Sequence, residues 1–76
     1  MNVEKLVRMA NQIAANLDYG PDKDHVVAGV ADHLKRFWTP GMRAKIIEHH
    51  ARGPGDLSEL ASRAVEKLAQ QRTTAA

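Results

Sequence analysis

Four histidines are the residues of this 76-residue chain that most readily suggest chemistry, because a neutral imidazole is a common metal ligand. His25 falls near the start of a predicted helix, and His33 lies in the middle of that helix. His49 and His50 are adjacent, so on a helix their side chains point about a hundred degrees apart. No H-x-x-x-H pair is present, and the chain has no Cys to complete a zinc site. The sequence therefore favours structural or solvent-exposed histidines over a metal centre.

A nucleophilic enzyme needs a hydroxyl or thiol beside a base, in a pocket that excludes water. The hydroxyl residues are assigned to helix caps, helix surfaces and the C-terminal tail: Thr39, Ser58, Ser62, Thr73 and Thr74. The closely spaced carboxylates, Asp22 and Asp24, stand at a predicted helix entry, where capping accounts for them. A body of four short helices is also expected to lack a substrate cavity of the usual ~300 Å3 or more. We therefore predict that the chain is not an enzyme.

The charges of the chain suggest a second function class, nucleic-acid binding. Eleven basic residues stand against nine acidic ones, for a net charge of +2. Arg36, Arg43, Lys45 and Arg52 lie in the middle of the chain, and Arg43 and Lys45 could reach phosphates from the third helix. However, the charges are interspersed, and no run of basic residues lines one face. We expect no nucleic-acid partner, and a small helical DNA-binding or regulatory module stays the alternative function.

Size and composition limit the class of protein. With 76 residues and 43% hydrophobic content, the chain forms one domain that buries about 60–65% of its surface on folding. No apolar run approaches the ~18–20 residues that span a bilayer. Residues 1–5 also lack the basic-then-apolar layout of a signal peptide. We therefore expect a cytoplasmic protein with no membrane partner.

Apolar residues at helical spacing run through the first half of the chain. Over residues 2–18 they recur at steps of three or four, as Leu6, Ala10, Ile13 and Leu17. Asn2 is a candidate N-cap for this first helix. Asp22 or Asp24 can cap a second helix, whose apolar residues continue at the same spacing to Trp38.

The second half of the chain contains two further helix starts. Thr39 offers a capping hydroxyl and Pro40 suits the first helical position, so a third helix is predicted from Pro40 to the R-G-P-G run at 52–55. Asp56 and Glu59 have the spacing of a capping box. That spacing predicts a fourth helix that begins directly after Asp56.

These four amphipathic helices predict a small all-α domain over residues 1–70. Connections of about two to five residues make sequential helices neighbours in space. Residues 71–76 have no apolar stripe left to bury, and we predict that they form a disordered tail.

Large apolar residues exceed what one narrow stripe per helix requires. The adjacent pairs at 37–38 and 46–47 give wide apolar arcs, and Met9 and Met42 widen the stripes of their helices. These arcs either close a thin core or form a partner surface, where Trp, Met and Arg are enriched. Self-association of the helices is a third possibility for a core this thin.

Three stretches are more specific than any helical pattern: MANQIA at 9–14, VADHLKRFW at 30–38 and WTPGMR at 38–43. Through them the chain resembles the delta subunit of soluble NAD-dependent formate dehydrogenases, from about Leu6 to Leu68. Two positions depart from the family pattern. Gly41 stands where a basic residue is expected, and the pair at 15–16 stands where many relatives have aromatic residues.

The resemblance implies a small non-catalytic subunit of a cytoplasmic multisubunit enzyme. The alpha subunit of such a complex would carry a molybdenum or tungsten pterin and iron-sulfur clusters. The beta and gamma subunits would carry FMN and further clusters, and would reduce NAD. No cofactor is implied for the delta chain, consistent with its lack of Cys. We therefore expect an accessory subunit that docks on the alpha subunit and supports its assembly or stability.

We expect the docking contacts at two places. The first helix would contribute Met9, Asn11 and Gln12, because this polar pair beside apolar surplus is not what a core alone requires. The corner between the second and third helices would contribute five residues: Phe37, Trp38, Pro40, Met42 and Arg43. For Trp38 the sequence leaves two roles open, a contact with the partner or the main anchor of the chain's own core.

Overall fold

The computed structural model describes residues 2–53 and 55–74, which form four helices and no strand. The helices are α1 (Val3–Leu17), α2 (Lys23–Phe37), α3 (Pro40–Ala51) and α4 (Glu59–Thr74). The largest helix–helix contact joins α2 and α4. α1 packs against all three other helices, and α3 packs against α1 and α4. The predicted all-α fold is therefore confirmed.

The first three helices begin at caps that the sequence predicts. The side-chain oxygens of Asn2 and Asp22 each accept from the backbone amide three residues on, at 3.0 and 3.2 Å. The Thr39 hydroxyl accepts from the Met42 amide at 3.2 Å, and Pro40 occupies the first position of α3. In each case a side chain satisfies an amide that has no partner inside the helix.

The fourth helix begins later than the sequence predicts. α4 starts at Glu59, and its cap is Ser58, whose hydroxyl accepts from the Ala61 amide at 3.2 Å. The capping box predicted from Asp56 is therefore wrong. Leu57 is buried in the core. Residues 56–58 therefore belong to the loop, and the helix begins only after them.

α4 extends into the stretch that the sequence predicts as a tail. The helix continues to Thr74, past residue 70, where the predicted domain ends. Residues 75 and 76, the last of the predicted tail 71–76, lie outside the described residues. The division of the chain at residue 70 stays a prediction.

The core is aliphatic, apart from Trp38. Its largest fully buried side chains come from all four helices: Leu6, Val30, Leu34, Ile46 and Val65. Met9 and Met42 are partly buried and pack against this cluster. Among the described residues no polar or charged residue is buried as a whole. Stability therefore depends on burial of apolar side chains and on the caps that hold the helix ends.

Candidate partner-binding surface

The corner between α2 and α3 is made by two residues, Trp38 and Thr39. α2 ends at Phe37 and α3 begins at Pro40, and both linking residues have extended backbone conformations. The Trp38 amide still donates to the Leu34 carbonyl at 3.1 Å, so it closes the last turn of α2. The chain therefore passes from one helix cap directly to the next, with no free loop between them.

Arg43 braces this corner from the first turns of α3. Its guanidinium Nη1 donates to the Lys35 carbonyl at 2.7 Å and to the Trp38 carbonyl at 2.8 Å. The last carbonyls of a helix have no partner inside it, and they carry the negative end of the helix dipole. The half-buried Arg43 supplies these carbonyls with hydrogen-bond donors and places a positive charge beside the negative end of the dipole. Arg43 thus has a structural role within the chain, whatever it also contacts outside.

The two adjacent aromatic residues have opposite environments. Trp38 is 5% exposed and belongs to the core, whereas Phe37 is 71% exposed. The burial of Trp38 supports the core-anchor role of the two that the sequence leaves open. Its side chain offers little surface to another protein, and the aromatic surface that this pair presents comes from Phe37.

Phe37 ends an apolar stripe that leaves the core. Val26, Val30, His33 and Phe37 follow one another at steps of four, three and four, so they share one side of α2. The two valines are buried, His33 is half-buried and Phe37 is exposed. The His33 and Phe37 rings pack with centroids 4.7 Å apart. The stripe therefore continues past the edge of the core, and the His33 ring leaves most of its last residue exposed.

On α1, Asn11 is committed to a contact within the chain. Its Nδ2 donates to the Asp56 carbonyl at 2.8 Å, and its Oδ1 accepts from the Ser58 amide at 2.7 Å. The amide thereby fixes the segment that leads into α4. The presence of this polar residue beside apolar surplus, which suggested a partner contact, has this structural explanation.

The other two predicted residues of α1, Met9 and Gln12, are three positions apart and so are neighbours on its surface, but they differ in burial. Gln12 is exposed, and Met9 is half-buried. Met9 follows a line with Ile13 and Leu17 at steps of four, and all three pack against the edge of the core. Met9 and Asn11, two positions apart, lie on opposite flanks of the helix. The structure therefore does not bring the three predicted α1 residues together in one patch.

A cleft of about 580 Å3 opens between the outer face of α3 and the C-terminal half of α4. Eight residues line it: Lys35, Pro40, Gly41, Arg43, Ala44, Ile47, Leu68 and Gln71. The expectation that so small a body has no concavity of this size is wrong, because α3 turns a second, partly apolar face away from the core. Among the residues whose side chains the structure describes, the lining includes no hydroxyl, imidazole or carboxylate.

Of the five residues predicted at the corner, the cleft collects only Pro40 and Arg43. Met42 points to the core and Phe37 lies on another side of α2. The sequence reasoning missed most of the lining residues, including Ala44, Ile47 and Leu68. A signal for them exists in the spacing of Pro40, Ala44 and Ile47, which follow at steps of four and three and so share one face of α3.

Most of the basic residues that raised the nucleic-acid alternative are engaged within the chain. Arg36 pairs with Asp32 at 3.0 Å and Arg52 pairs with Glu48 at 2.7 Å, each one turn apart on its helix. Arg43 caps α2. These residues therefore do not line up as a basic face, and no observation in the structure favours this alternative.

The histidines are dispersed over the fold. His25 is exposed, His33 packs on Phe37, and His50 Nε2 is 2.9 Å from the Ser62 hydroxyl of α4. Over residues 2–53 and 55–74, no group of three or more His, Cys, Asp or Glu side chains is placed to hold a metal ion. In the same residues, no helix has both the length and the apolar character that a membrane span requires.

Comparison with known proteins places the chain in a family. No curated protein and no solved structure matches it. A family model described as the NADH-dependent formate dehydrogenase delta subunit FdsD matches residues 5–65. The match takes in most of α1, all of α2 and α3 and the first turns of α4, so it includes both places where docking contacts are expected. The chain therefore belongs to the family of the formate dehydrogenase delta subunit FdsD.

Proposed function

We propose that this chain is a non-catalytic accessory subunit of a cytoplasmic NAD-dependent formate dehydrogenase. It docks on the catalytic alpha subunit, in a complex with beta and gamma subunits, and supports the assembly or stability of that subunit. The molybdenum or tungsten pterin, the iron-sulfur clusters and FMN belong to the partner subunits in this proposal, and the delta chain carries none of them.

The observation that carries the proposal is the exposure of Phe37. A stripe that is buried at Val26 and Val30 ends on an aromatic ring that is 71% exposed. Aromatic residues are enriched where one protein docks on another, and a few such anchors supply most of the binding energy. The membership of the chain in the formate dehydrogenase delta-subunit family supports a partner among the other subunits of such a complex.

Co-purification tests this proposal with a matched pair of variants. Phe37 and Tyr19 are both exposed aromatic residues, at 71% and 74%, but Tyr19 lies in the turn between α1 and α2 and ends no such stripe. A tagged chain expressed in its native host is expected to retain the alpha subunit. Phe37→Glu is expected to weaken that retention at least about tenfold, while Tyr19→Glu leaves it within about twofold.

Two outcomes contradict the proposal. If the tagged wild-type chain retains no large cofactor-bearing subunit, the accessory role is wrong. If Phe37→Glu and Tyr19→Glu retain the alpha subunit equally well, docking takes place but does not use Phe37. The melting temperature of each free variant, followed by circular dichroism, checks that neither charge disturbs the fold.

A further inference from the structure

The cleft between α3 and α4 differs in charge from the depression between α2 and α4. Its two charged lining residues, Lys35 and Arg43, are both basic. The depression between α2 and α4 instead balances Asp24 and Glu66 against Arg63 and Lys67, and Arg63 pairs with Asp24 at 2.5 Å. The first cleft therefore joins apolar walls to two basic side chains, with no carboxylate among its described lining residues.

The walls of this cleft leave room for the side chains of a bound protein segment. Half-buried Ile47 of α3 and largely buried Leu68 of α4 both line it, and Gly41 and Ala44 contribute only small groups to the lining. A Cβ built on Gly41 would meet only the Thr39 hydroxyl, at 4.0 Å. A groove between two helices with an apolar floor and charge at its rim is the usual receptor for an amphipathic helix.

We propose that this cleft receives an acidic amphipathic segment of the partner protein. An apolar side chain of the segment lies against Pro40, Ala44 and Ile47, and a neighbouring carboxylate faces Lys35 and Arg43 at the rim. The occupant is a protein segment of this chemistry because apolar walls and basic rim residues complement apolar and acidic groups held side by side. This inference rests on the proposed function, since it takes the partner to be the alpha subunit.

Filling the cleft is the first test. Gly41→Leu places a branched side chain at the mouth, where the added Cβ has room, and Leu has a higher helix propensity than Gly. Gly29→Leu is the matched control, because a Cβ at this exposed position of α2 meets nothing within 4 Å and lies outside the cleft. Retention of the alpha subunit is expected to fall at least about tenfold with Gly41→Leu and to stay within about twofold with Gly29→Leu.

Reversing the charge at the rim is the second test. Lys35→Glu changes a lining residue, whereas Arg36→Glu makes the same change at the next position of the same helix end, outside the cleft. Arg36→Glu also breaks its ion pair with Asp32, so it is the harsher change for the fold. We expect Lys35→Glu to weaken retention at least about tenfold and Arg36→Glu to change it by less than about threefold.

A peptide array identifies the segment. Overlapping 15-residue peptides of the alpha subunit are probed with the full tagged chain and with all four variants. We expect binding to a peptide that carries Asp or Glu beside an apolar residue, and its loss with Gly41→Leu and Lys35→Glu alone. Binding that is confined to basic or uncharged peptides would overturn the assignment of the occupant.

Failure of this inference is distinguishable from failure of the proposed function. If the wild-type chain retains no alpha subunit, both are wrong. If the wild type retains it and Gly41→Leu and Lys35→Glu retain it equally well, only the cleft assignment is wrong. If sedimentation shows a dimer of the free chain that Gly41→Leu dissociates, the occupant is a second copy and the assignment is again overturned.

Discussion

The α2–α3 corner and the α3–α4 loop, residues 52–58, join helices in opposite ways. At the corner, Arg43 holds a carbonyl eight positions back in the chain, and Thr39 caps the helix that it precedes. The loop is held from α1 by Asn11, whose bonds reach 45 and 47 positions along the chain. The corner is thus determined by its own neighbourhood, and the loop by a distant helix.

The loop also depends on backbone conformations and close packing that the corner does not use. Gly53 and Gly55 have φ values of +134° and +58°, which side-chain-bearing residues rarely adopt. A Cβ at Gly55 would lie 3.1 Å from His49 Nε2, a buried nitrogen with no hydrogen-bond partner among the described residues. The corner, built from local caps, thus leaves Phe37 beside it exposed, whereas the longer connection needs both its own glycines and the Asn11 side chain of α1 to keep its path.

The largest effect on stability is expected from Trp38, the core residue of the α2–α3 corner. Trp38→Ala should lower the free energy of unfolding by roughly 3–5 kcal/mol, because it removes a large side chain from the core and leaves a cavity. Such a loss is comparable with the whole stability of a domain this small. Urea unfolding followed by far-ultraviolet circular dichroism measures it.

Phe37→Ala is the matched control for that prediction. Because Phe37 is largely exposed, its truncation is expected to change the free energy of unfolding by less than about 0.5 kcal/mol. Equal losses at the two positions would contradict the division of this aromatic pair into a core residue and a surface residue.

An intermediate effect on stability is expected from Arg43, which braces the α2–α3 corner. Arg43→Met keeps most of the apolar stem but removes the donors to the Lys35 and Trp38 carbonyls. We expect a loss of about 2 kcal/mol, since two charge-assisted bonds disappear from a half-exposed site. Arg43→Lys should recover part of the lost stability, because its single ammonium group still offers a charged hydrogen-bond donor. Chemical unfolding of the three proteins measures the series, and a stability of Arg43→Met equal to that of the wild type would refute the brace.

The smallest effect is expected from the distant contact of the loop. Asn11→Ala removes two neutral hydrogen bonds near the surface and should cost about 1 kcal/mol. Asn11→Asp keeps an acceptor for the Ser58 amide and loses the donor to the Asp56 carbonyl. Amide hydrogen exchange at Ser58 should therefore be faster in the alanine variant than in the aspartate variant. Unchanged exchange in both would show that the loop does not depend on α1.

The same difference explains how far the sequence could predict this fold. Asn2, Asp22 and Thr39 lie three residues before the amides that they cap, so a local pattern identifies each of these helix starts. Asp56 has an equally good local pattern, yet α4 begins at Glu59, because the burial of Leu57 and the bonds from Asn11 decide the path of the segment. Those interactions are long-range, and no spacing within the loop encodes them.

For the binding surface, the sequence shows which residues are unusual, but it does not show whether their side chains are buried or exposed. It identifies Phe37 and Trp38 as unusual, but helical spacing alone does not say which ring is buried in the core and which is left exposed. It also misses the cleft, because Leu68 lies in the helix after that of Ile47 and only the packed bundle brings them together.

The burial of Trp38 also makes it an optical reporter of the fold. It is the sole tryptophan of the chain, and its indole ring is removed from water. Its fluorescence will shift to longer wavelength when the bundle opens, which reports unfolding without any label. A ligand that covers only Phe37 leaves the indole surroundings unchanged, so an emission shift on binding would signal that the bundle itself has rearranged.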